Sequence, residues 1–331
     1  MLIKTPKFWA KRNYISFVLL PFSILYYLVL KIRNLTIKPC KISKPVICIG
    51  NFIAGGAGKT PVAMAIGKLL QQIISESEKP NYKFAYLSSG YKGKSLAFEE
   101  VDRRIHTSKE VGDEPLLLSE ISKTFVAKNR LFGAKKIDLI EELKTIILDD
   151  GMQNNSLKKD LTIAVVDGNI GFGNGFMIPA GPMRQDFETD YKKVDFVVVV
   201  GKPKEDLLQK FVNKKVVFAE LIANNLESFA DMKVIAFCGL AYPDKFFSFL
   251  EKQSVNVVQK ISFPDHYDYK NSDLLELIKI AESKNAKLIT TKKDWIKFSQ
   301  DFKERISYLD VELKFIDEGF VSQELKRIIK L

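Results

Sequence analysis

A glycine-rich run that ends in a lysine and a threonine is the strongest chemical signal in the chain. Its residues are Gly55, Gly56, Ala57, Gly58, Lys59 and Thr60. An apolar stretch typical of a buried strand precedes the run, and a helical pattern follows it. This context predicts a phosphate-binding loop, in which backbone N–H groups and a helix N-terminus face phosphate oxygens. In such a loop Lys59 would reach the β- and γ-phosphates, and the Thr60 hydroxyl would bind Mg²⁺.

This run departs from the common phosphate-loop pattern. The usual spacing, G-x-x-x-x-G-K-[ST], requires a glycine at position 53, where this chain has Ile53. The doubled glycine instead resembles deviant loops of the GGxGKT type. A glycine-rich surface turn without a ligand is the alternative, and the strand before the run and the helix after it argue against that alternative.

A second chemical signal is an acidic pair at the end of an apolar strand. Residues 145–148 form a β-rich run, and Asp149, Asp150 and Gly151 follow it. Ligands of open α/β sheets bind at the carboxyl ends of strands, so this pair is expected to meet Mg²⁺ beside nucleotide phosphates. Either Asp149 or Asp150 would bind the metal directly. A simple Asp-Asp-Gly turn is the alternative.

Asp113 and His266 are the candidate proton-handling residues. Asp113 stands in the sequence Gly-Asp-Glu-Pro before an apolar helical stretch, where a carboxylate can cap the helix or accept a proton from an attacking hydroxyl. His266, one of two histidines, lies in a loop before another helix. It is either an exposed loop residue or a group that a closing cleft brings to the phosphate site.

The segment 171–184 contains four glycines and two prolines, a composition that excludes regular structure. Such a segment is either a connector or a binding surface. It ends at Arg184, whose guanidinium can make two hydrogen bonds to a phosphate.

Composition indicates a folded protein with reduced thiols. The 331 residues are 46% hydrophobic and 27% charged, which excludes a disordered chain. Three cysteines stand far apart without a C-x-x-C pair, which argues against a disulfide framework or a zinc site and favours a cytosolic body. With two histidines, a multi-histidine metal site is not expected.

The N-terminal region predicts a membrane anchor. Residues 1–44 contain nine lysines and arginines and no acidic residue, although the net charge of the whole chain is +11. These charges bracket an uncharged stretch of 18 residues, Asn13–Leu30, a pattern that favours anionic lipid over nucleic acid as the partner. A cleaved signal peptide and a buried soluble helix are the alternatives.

The rest of the chain alternates apolar β-rich runs with helical patterns. This alternation predicts a P-loop NTPase-like α/β fold, with a doubly wound, mostly parallel sheet, a second, smaller α/β lobe and an N-terminal membrane helix. The predicted strands are 46–50, 84–88, 145–148, 162–166, 196–200, 216–223, 233–237 and 287–291. The predicted domains are an anchoring helix at 1–35, a P-loop domain at 36–229 and a smaller C-terminal lobe at 230–331.

Taken together, these motifs resemble those of the tetraacyldisaccharide 4'-kinase family, which acts in lipid A biosynthesis. The resemblance covers nearly the whole chain and includes stretches of the forms V-G-N-x-x-x-G-G-x-G-K-T-P, G-D-E-P and D-D-G-F-Q-H. The matching residues are 49–61, 88–94, 112–115, 149–154, 173–184, 239–243, 265–266 and 291–294. Two residues depart from the family pattern, because Ser89 replaces an arginine and Asn154 replaces a histidine.

The resemblance implies a kinase that uses ATP and Mg²⁺. The γ-phosphoryl group would pass to the 4'-hydroxyl of a tetraacylated glucosamine disaccharide 1-phosphate, with Asp113 as base and His266 as its helper. Lys59 would stabilise charge on the transferred group. The remaining implied substrate contacts are Asn51, Tyr91 and Arg184. A monomer on the cytoplasmic face of the inner membrane is expected, where the acylated lipid substrate lies.

A protein of another class shares the doubled-glycine loop. This alternative is a membrane-associated P-loop switch ATPase of the deviant Walker A type, which works by nucleotide-dependent dimerisation. A lysine usually precedes the double glycine in such proteins, and this chain has Ala54 there, which counts against the switch.

Overall fold

The computed structural model describes residues 6–78, 81–94 and 98–330 of the chain. These residues form two compact units. The larger unit comprises Pro6–Leu221 and residues 313–330, and the smaller unit comprises Ile222–Glu312.

The strands follow the predicted apolar runs closely and add several shorter ones. In chain order they are β1 Val46–Gly50, β2 Lys83–Ser88, β3 Glu99–Glu100, β4 Thr124–Val126, β5 Leu143–Asp149, β6 Leu161–Asp167, β7 Phe196–Val200, β8 Lys215–Ala223, β9 Val234–Cys238, β10 Val257–Ser262, β11 Lys287–Thr291, β12 Ser307–Leu309 and β13 Val311–Phe315.

Helices of very different length connect these strands. The α-helices are α1 Tyr14–Thr36, α2 Lys59–Ser75, α3 Ser108–Val111, α4 Asp113–Leu118, α5 Arg130–Asp138, α6 Phe187–Tyr191, α7 Glu205–Leu208, α8 Pro243–Lys252, α9 Asn271–Ser283, α10 Lys292–Trp295, α11 Gln300–Arg305 and α12 Glu318–Ile329. The 3₁₀ helices are Lys7–Trp9, Gln209–Phe211 and Leu226–Phe229.

The larger unit is built on a nine-stranded sheet with the order β13-β8-β7-β6-β1-β5-β2-β4-β3. Neighbouring strands from β8 through β4 are parallel, and β3 is antiparallel to β4 at one edge. The central strands are buried throughout because helices cover both faces of the sheet. Helices α2 and α12 contribute to one apolar cluster, and α5 contributes to the other. The predicted doubly wound sheet is therefore confirmed.

The smaller unit contains a four-stranded parallel sheet with the order β10-β9-β11-β12. Its two apolar clusters include residues of α8 in one case and of α9 and α11 in the other. This architecture is the second, smaller α/β lobe that the sequence predicts.

The C-terminal segment divides differently from the predicted boundary at residue 230. Strand β13 neighbours β8 in the large sheet, and Val321 and Leu325 of α12 are buried in the cluster that contains α2. These residues therefore belong with the larger unit, and the smaller unit ends at Glu312. The apolar stripe of α12 is what returns the end of the chain to the large sheet.

Helix α1 is long and apolar. It spans 23 residues with a mean hydropathy of 2.0, and 11% of its most apolar stretch is buried. By length and composition it is the one helix in the described parts of the chain that could cross a membrane.

Candidate active site

The predicted phosphate loop lies between β1 and α2, as the sequence pattern required. Gly55 and Gly58 have φ angles of +111° and +83°, which glycine adopts without steric strain. Gly58 is the N-cap of α2, which begins at Lys59. Free N–H groups at this helix end and the helix dipole favour an anion beside the loop. Lys59 and Thr60 are each 9% exposed, so both residues are largely buried at the start of α2.

The missing glycine at position 53 has a structural explanation. Ile53 is 2% exposed, and its backbone forms an antiparallel bridge with Met183. On either side of this bridge Ala54 N donates to Pro182 O at 2.7 Å and Arg184 N donates to Phe52 O at 2.9 Å. The glycine- and proline-rich segment therefore holds the first half of the phosphate loop in an extended form that does not require glycine.

Parallel pairing brings the acidic strand end to the phosphate loop. Ile49 of β1 is in register with Asp149 of β5, so the residues after both strands lie at the same edge of the sheet. Lys59 Nζ is 3.6 Å from Asp150 Oδ2. The guanidinium of Arg184 donates from Nη1 to both Asp150 oxygens at 2.9 and 3.1 Å, and from Nε to Ile53 O at 3.0 Å.

Neighbouring cationic side chains compensate the negative charge of the Asp150 carboxylate. Burial raises its pKa, but Lys59, Arg184 and Arg130 together lower the pKa below its usual value. Arg130 also donates from Nη2 to the Asp150 backbone oxygen at 2.6 Å. Asp150 is therefore ionised at neutral pH, and in this structure Arg184 binds Asp150 and the loop.

The carboxyl group of Asp149, in contrast to that of Asp150, is buried without hydrogen-bond partners among the described residues. It is 1% exposed, and neither carboxylate oxygen has a hydrogen-bond partner within the described residues. Burial, followed by the charges of Glu114 and Asp150, raises its pKa to about 8. A buried carboxyl group without donors requires an explanation, and a catalytic role, a bound water or a bound ion can supply it. Mg²⁺ binds one or two carboxylates and completes its shell with water and phosphate oxygens, so these residues fit that ion.

A second polar group at this edge also lacks partners. The side chain of Asn51 is fully buried, and neither its amide nitrogen nor its oxygen has a hydrogen-bond partner in the parts of the chain that are described. Its backbone is fixed from the other side, because Gln153 Nε2 donates to Asn51 O and to Asp190 Oδ2, each at 2.8 Å. The Asn51 amide is thus available to a ligand at the phosphate loop.

Asp113 is the first residue of α4 and is 4% exposed. Its Oδ1 accepts a hydrogen bond from the N–H of the next residue, Glu114, at 3.1 Å, whereas the N-cap of α4 is Gly112, which has no side chain that could cap this helix. Glu114 is close enough to Asp149 to raise the pKa of that carboxyl, so the start of α4 lies near the acidic strand end. The structure is compatible with both predicted roles of Asp113, which stay predictions.

Tyr91 lies beside the start of α4. A Cβ atom added to Gly112 would lie 2.9 Å from the Tyr91 backbone oxygen, and Gly112 has a φ of +91°, so the two segments pack closely. The Tyr91 ring is 59% exposed. The predicted substrate contact at Tyr91 would therefore be made by an exposed ring that lies near Asp113.

His266 belongs to the smaller unit. It has a φ of +54°, its backbone N donates to Gly239 O at 3.2 Å, and its Nε2 lies 3.1 Å from Lys293 Nζ. Because Asp113 belongs to the larger unit, the partnership of the two residues stays a prediction.

Sequence reasoning missed Arg130, Glu114 and Gln153. Arg130 is the first residue of the helix that follows β4. Its position near the site depends on the strand order β1-β5-β2-β4, which the sequence does not reveal. Glu114 lies in the first turn of α4, where the sequence pattern indicates only a helix start. Gln153 could have been suspected from its place three residues after Asp150.

The fold and this site define the class of protein. A parallel α/β sheet carries a glycine loop, a lysine at the start of the following helix and an acidic neighbouring strand end, as P-loop nucleotide-binding proteins do. A family model described as Tetraacyldisaccharide-1-P 4'-kinase matches residues 15–330. The chain belongs to that family, and the predicted enzyme class, a kinase that acts on an alcohol group, is confirmed.

Known relatives match along their whole length. The Tetraacyldisaccharide 4'-kinase of Rickettsia akari (strain Hartford) is 37% identical over 327 residues, which covers 97% of this chain and 96% of the relative. That of Paramagnetospirillum magneticum (strain AMB-1) is 37% identical over 332 residues, with coverage of 98% and 99%. The crystal structure of LpxK from Aquifex aeolicus in complex with ATP has a TM-score of 0.75 and 26% identity, and covers 96% of this chain and 100% of that one.

The buried Asp149 carboxyl makes the stability of the protein depend on pH. Its pKa is raised from 3.8 to about 8, so the folded protein keeps a proton that the unfolded chain has lost. The free energy of unfolding should therefore fall as pH rises from about 4 to about 8. Asp149→Asn removes this loss, and without Mg²⁺ it should be more stable than the wild type at pH 8 by on the order of 2 kcal/mol.

Urea unfolding at about pH 5 and about pH 8, without divalent cations, measures this effect. The exposed Asp206 provides the control variant Asp206→Asn, which should keep the wild-type pH dependence. An Asp149→Asn protein that loses as much stability as the wild type between the two pH values would contradict the assignment.

Proposed function

We propose that this protein transfers the γ-phosphoryl group of ATP to the 4'-hydroxyl of a tetraacylated glucosamine disaccharide 1-phosphate. The observation that carries the proposal is the pairing of a phosphate loop with a buried carboxyl group, Asp149, which has no hydrogen-bond partner among the described residues and lies at the same sheet edge. Family membership and the structural similarity to LpxK in complex with ATP support the same activity.

The chain's own residues supply most of the catalytic requirements. Backbone N–H groups of the loop and the N-terminus of α2 would hold the phosphates, and Lys59 would stabilise charge on the transferred phosphoryl oxygens. Asp149, Asp150 and Thr60 are the residues that would hold Mg²⁺, which neutralises phosphate charge when it is bound. The buried Asn51 amide, which has no partner in the described part of the chain, is suited to a phosphate or sugar oxygen.

Transfer requires a group that accepts the proton of the 4'-hydroxyl. We assign this role to Asp113, a buried carboxylate at the start of α4. The sugar oxygen forms a bond to the γ-phosphorus while the bond from that phosphorus to the ADP oxygen breaks, and Asp113 takes the released proton. His266 would orient and electrostatically support this carboxylate.

Arg184 and Tyr91 complete the proposed substrate contacts. Arg184 now binds Asp150 and the phosphate loop, so it can act on substrate either through that contact or by exchanging Asp150 for a phosphate. Tyr91 offers an exposed aromatic ring, which suits the apolar face of a sugar.

The membrane partner is proposed from the reversed polarity of α1. Its buried side chains are those of Ser16 and Ser23, whereas its apolar side chains face outward. A helix on a water-soluble surface has the opposite arrangement. The outward residues, each at least 48% exposed, are Tyr14, Ile15, Phe17, Val18, Phe22, Ile24, Leu25, Leu28, Val29, Ile32 and Leu35.

The contacts of α1 favour a helix that lies in the membrane surface. Polar side chains along most of its length bind the body of the larger unit, over a distance of about 27 Å. That length is close to the thickness of the hydrocarbon core, about 30 Å, so a spanning helix would carry polar residues of the body into lipid. The contacting pairs are Ser16 with Asn174, Ser23 with Met177 and Asn34 with Asn155, at 3.0, 2.8 and 2.8 Å.

The location follows from these properties. A monotopic attachment on the cytoplasmic face of the inner membrane gives the enzyme access both to ATP and to an acylated substrate whose chains stay in the bilayer. The basic residues that flank α1 would add attraction to anionic headgroups. A monomer with one lipid substrate is the assembly we propose.

Replacing Lys59 should abolish phosphoryl transfer. With γ-labelled ATP and an extracted acyl disaccharide 1-phosphate, the wild type should move label onto the glycolipid, and Lys59→Ala should move none above background, because the phosphoryl charge loses its nearest cation. Lys68→Ala, on the same helix, is the control and should transfer label normally. Release of free phosphate alone by the wild type would instead indicate an ATPase of the switch type.

Asp113→Asn separates the two roles considered for this residue. Asparagine keeps an oxygen that can accept a backbone hydrogen bond at a helix start, so a capping role predicts nearly normal turnover. A general-base role predicts a fall in kcat of roughly 10² or more. The melting temperature, measured alongside, should stay near that of the wild type, and a loss of tenfold or less in kcat would favour capping.

Single cysteines along α1 can measure its depth in a bilayer. In a Cys40→Ser background, probes at Ile15→Cys, Leu25→Cys and Leu35→Cys should all show similar, shallow quenching by lipid-attached quenchers, because the helix lies parallel to the surface. Leu139→Cys, exposed elsewhere on the larger unit, is the control and should show none. A spanning helix would instead give the deepest signal at residue 25.

A further inference from the structure

Segments that are distant in sequence meet around His266 in the smaller unit. The His266 backbone N donates to Gly239 O at 3.2 Å, and Gly239 N donates to Asp294 Oδ2 at 2.8 Å. Gly239 follows β9, His266 lies in the loop after β10, and Asp294 is in α10. The backbone position of His266 is therefore tied through Gly239 to a buried carboxylate.

Asp294 is a rigid anchor for this arrangement. Its side chain is fully buried. It accepts hydrogen bonds from Thr291 Oγ1 and Lys297 Nζ, each at 2.9 Å, in addition to the one from Gly239. A buried carboxylate with this many donors is held in one position, and it fixes the start of α10, where Lys293 lies.

Lys293 presents its ammonium to the imidazole of His266. Lys293 Nζ lies 3.1 Å from His266 Nε2 and 3.8 Å from Asp265 Oδ1. An ammonium group has donors and no acceptor, so the Nε2 atom of His266 must accept the hydrogen bond.

This contact determines which ring nitrogen carries hydrogen. Because Nε2 accepts from Lys293, the neutral imidazole carries its hydrogen on Nδ1. His266 also holds a φ of +54°, a conformation uncommon for residues other than glycine. A backbone and a ring that are both constrained by neighbours are typical of a residue whose orientation matters for function.

We propose that Lys293 is a positioning residue that holds His266 as its Nδ1–H tautomer. In this form the Nε2 lone pair is occupied by the Lys293 ammonium, and the hydrogen is on Nδ1. His266 therefore does not itself remove the proton of the substrate hydroxyl and serves the proposed reaction as a supporting group. The catalytic part of this inference rests on the proposed function, whereas the tautomer can be measured without any reaction.

The presence of a second histidine makes the measurement specific. His106, in the larger unit, accepts at Nδ1 from Asp102 N at 2.9 Å, and its Nε2 lies 3.0 Å from Glu99 Oε1. Its hydrogen must therefore be on Nε2. The two histidines of the chain are expected to be opposite tautomers, and each serves as the reference for the other.

Nitrogen-15 NMR of the full-length protein labelled at histidine distinguishes the tautomers by the pattern of ring nitrogen and carbon-bound hydrogen correlations. His106→Gln assigns the two sets of signals. The wild type should show His266 with hydrogen on Nδ1. Lys293→Met should move the hydrogen to Nε2, which is the more stable form of a free imidazole. Lys293→Arg, which keeps a donor without an acceptor, should restore the wild-type pattern.

Lys292→Met is the matched control. Lys292 is the neighbouring residue in α10, and its ammonium lies 5.7 Å from the centre of the Tyr308 ring, so this variant should leave the His266 signals unchanged. A wild-type spectrum with His266 protonated on Nε2, or a Lys293→Met spectrum identical to the wild type, would overturn the proposal.

Kinetics tests the catalytic consequence separately. Lys293→Met should lower kcat about tenfold or more with little change in the KM for ATP, and Lys293→Arg should recover most of the loss. A changed tautomer with an unchanged kcat would refute the catalytic role of Lys293. If the wild type transfers no label to the glycolipid, the proposed function fails, and the spectra still decide whether Lys293 sets the tautomer.

Discussion

The site in the larger unit depends on the different surroundings of two adjacent carboxyl groups at the end of one buried strand. Asp150 is surrounded by Lys59, Arg184 and Arg130, which lower its pKa, whereas Asp149 has no hydrogen-bond donor among the described residues. A parallel sheet makes this possible because it delivers both aspartates to the same edge as the phosphate loop. The proposed Mg²⁺ and the nucleotide phosphates would supply the partners that the Asp149 carboxyl lacks.

Arg184 links the acidic strand end to the phosphate loop and to α1. Its guanidinium binds Asp150 and the Ile53 oxygen, and its backbone oxygen accepts a hydrogen bond from Tyr26 OH of α1 at 3.3 Å. One residue thus contacts the acidic strand end, the phosphate loop and the apolar helix. The glycine- and proline-rich segment, which looked like a plain connector or a binding surface, is the element that attaches α1 to the phosphate loop.

Features encoded by neighbouring residues could be predicted from the sequence. The central strands are continuous apolar runs, and the phosphate loop and the aspartates follow them directly. The sequence pattern is too weak in strands such as β10, whose residues alternate between partly buried and exposed, and β4, which has three residues. Arg130 reaches the site only through the order of strands in the sheet, and Lys293 meets His266 only through the fold of the smaller unit. Such contacts depend on tertiary structure, which periodicity does not reveal.

The position of α1 also bears on how a kinase can act on a lipid. In the proposed function the acyl chains of the substrate stay in the bilayer, so only the saccharide would be at headgroup level, and the phosphate loop would have to be held near that level. A helix crossing the bilayer would fix only one end of the protein at the surface. A helix lying in the surface and bound along its length, at Ser16, Ser23 and Asn34, limits the tilt of the body as well as its distance. The serines that α1 buries, where an ordinary surface helix would bury leucines, would make the proposed attachment compatible with an apolar outer face.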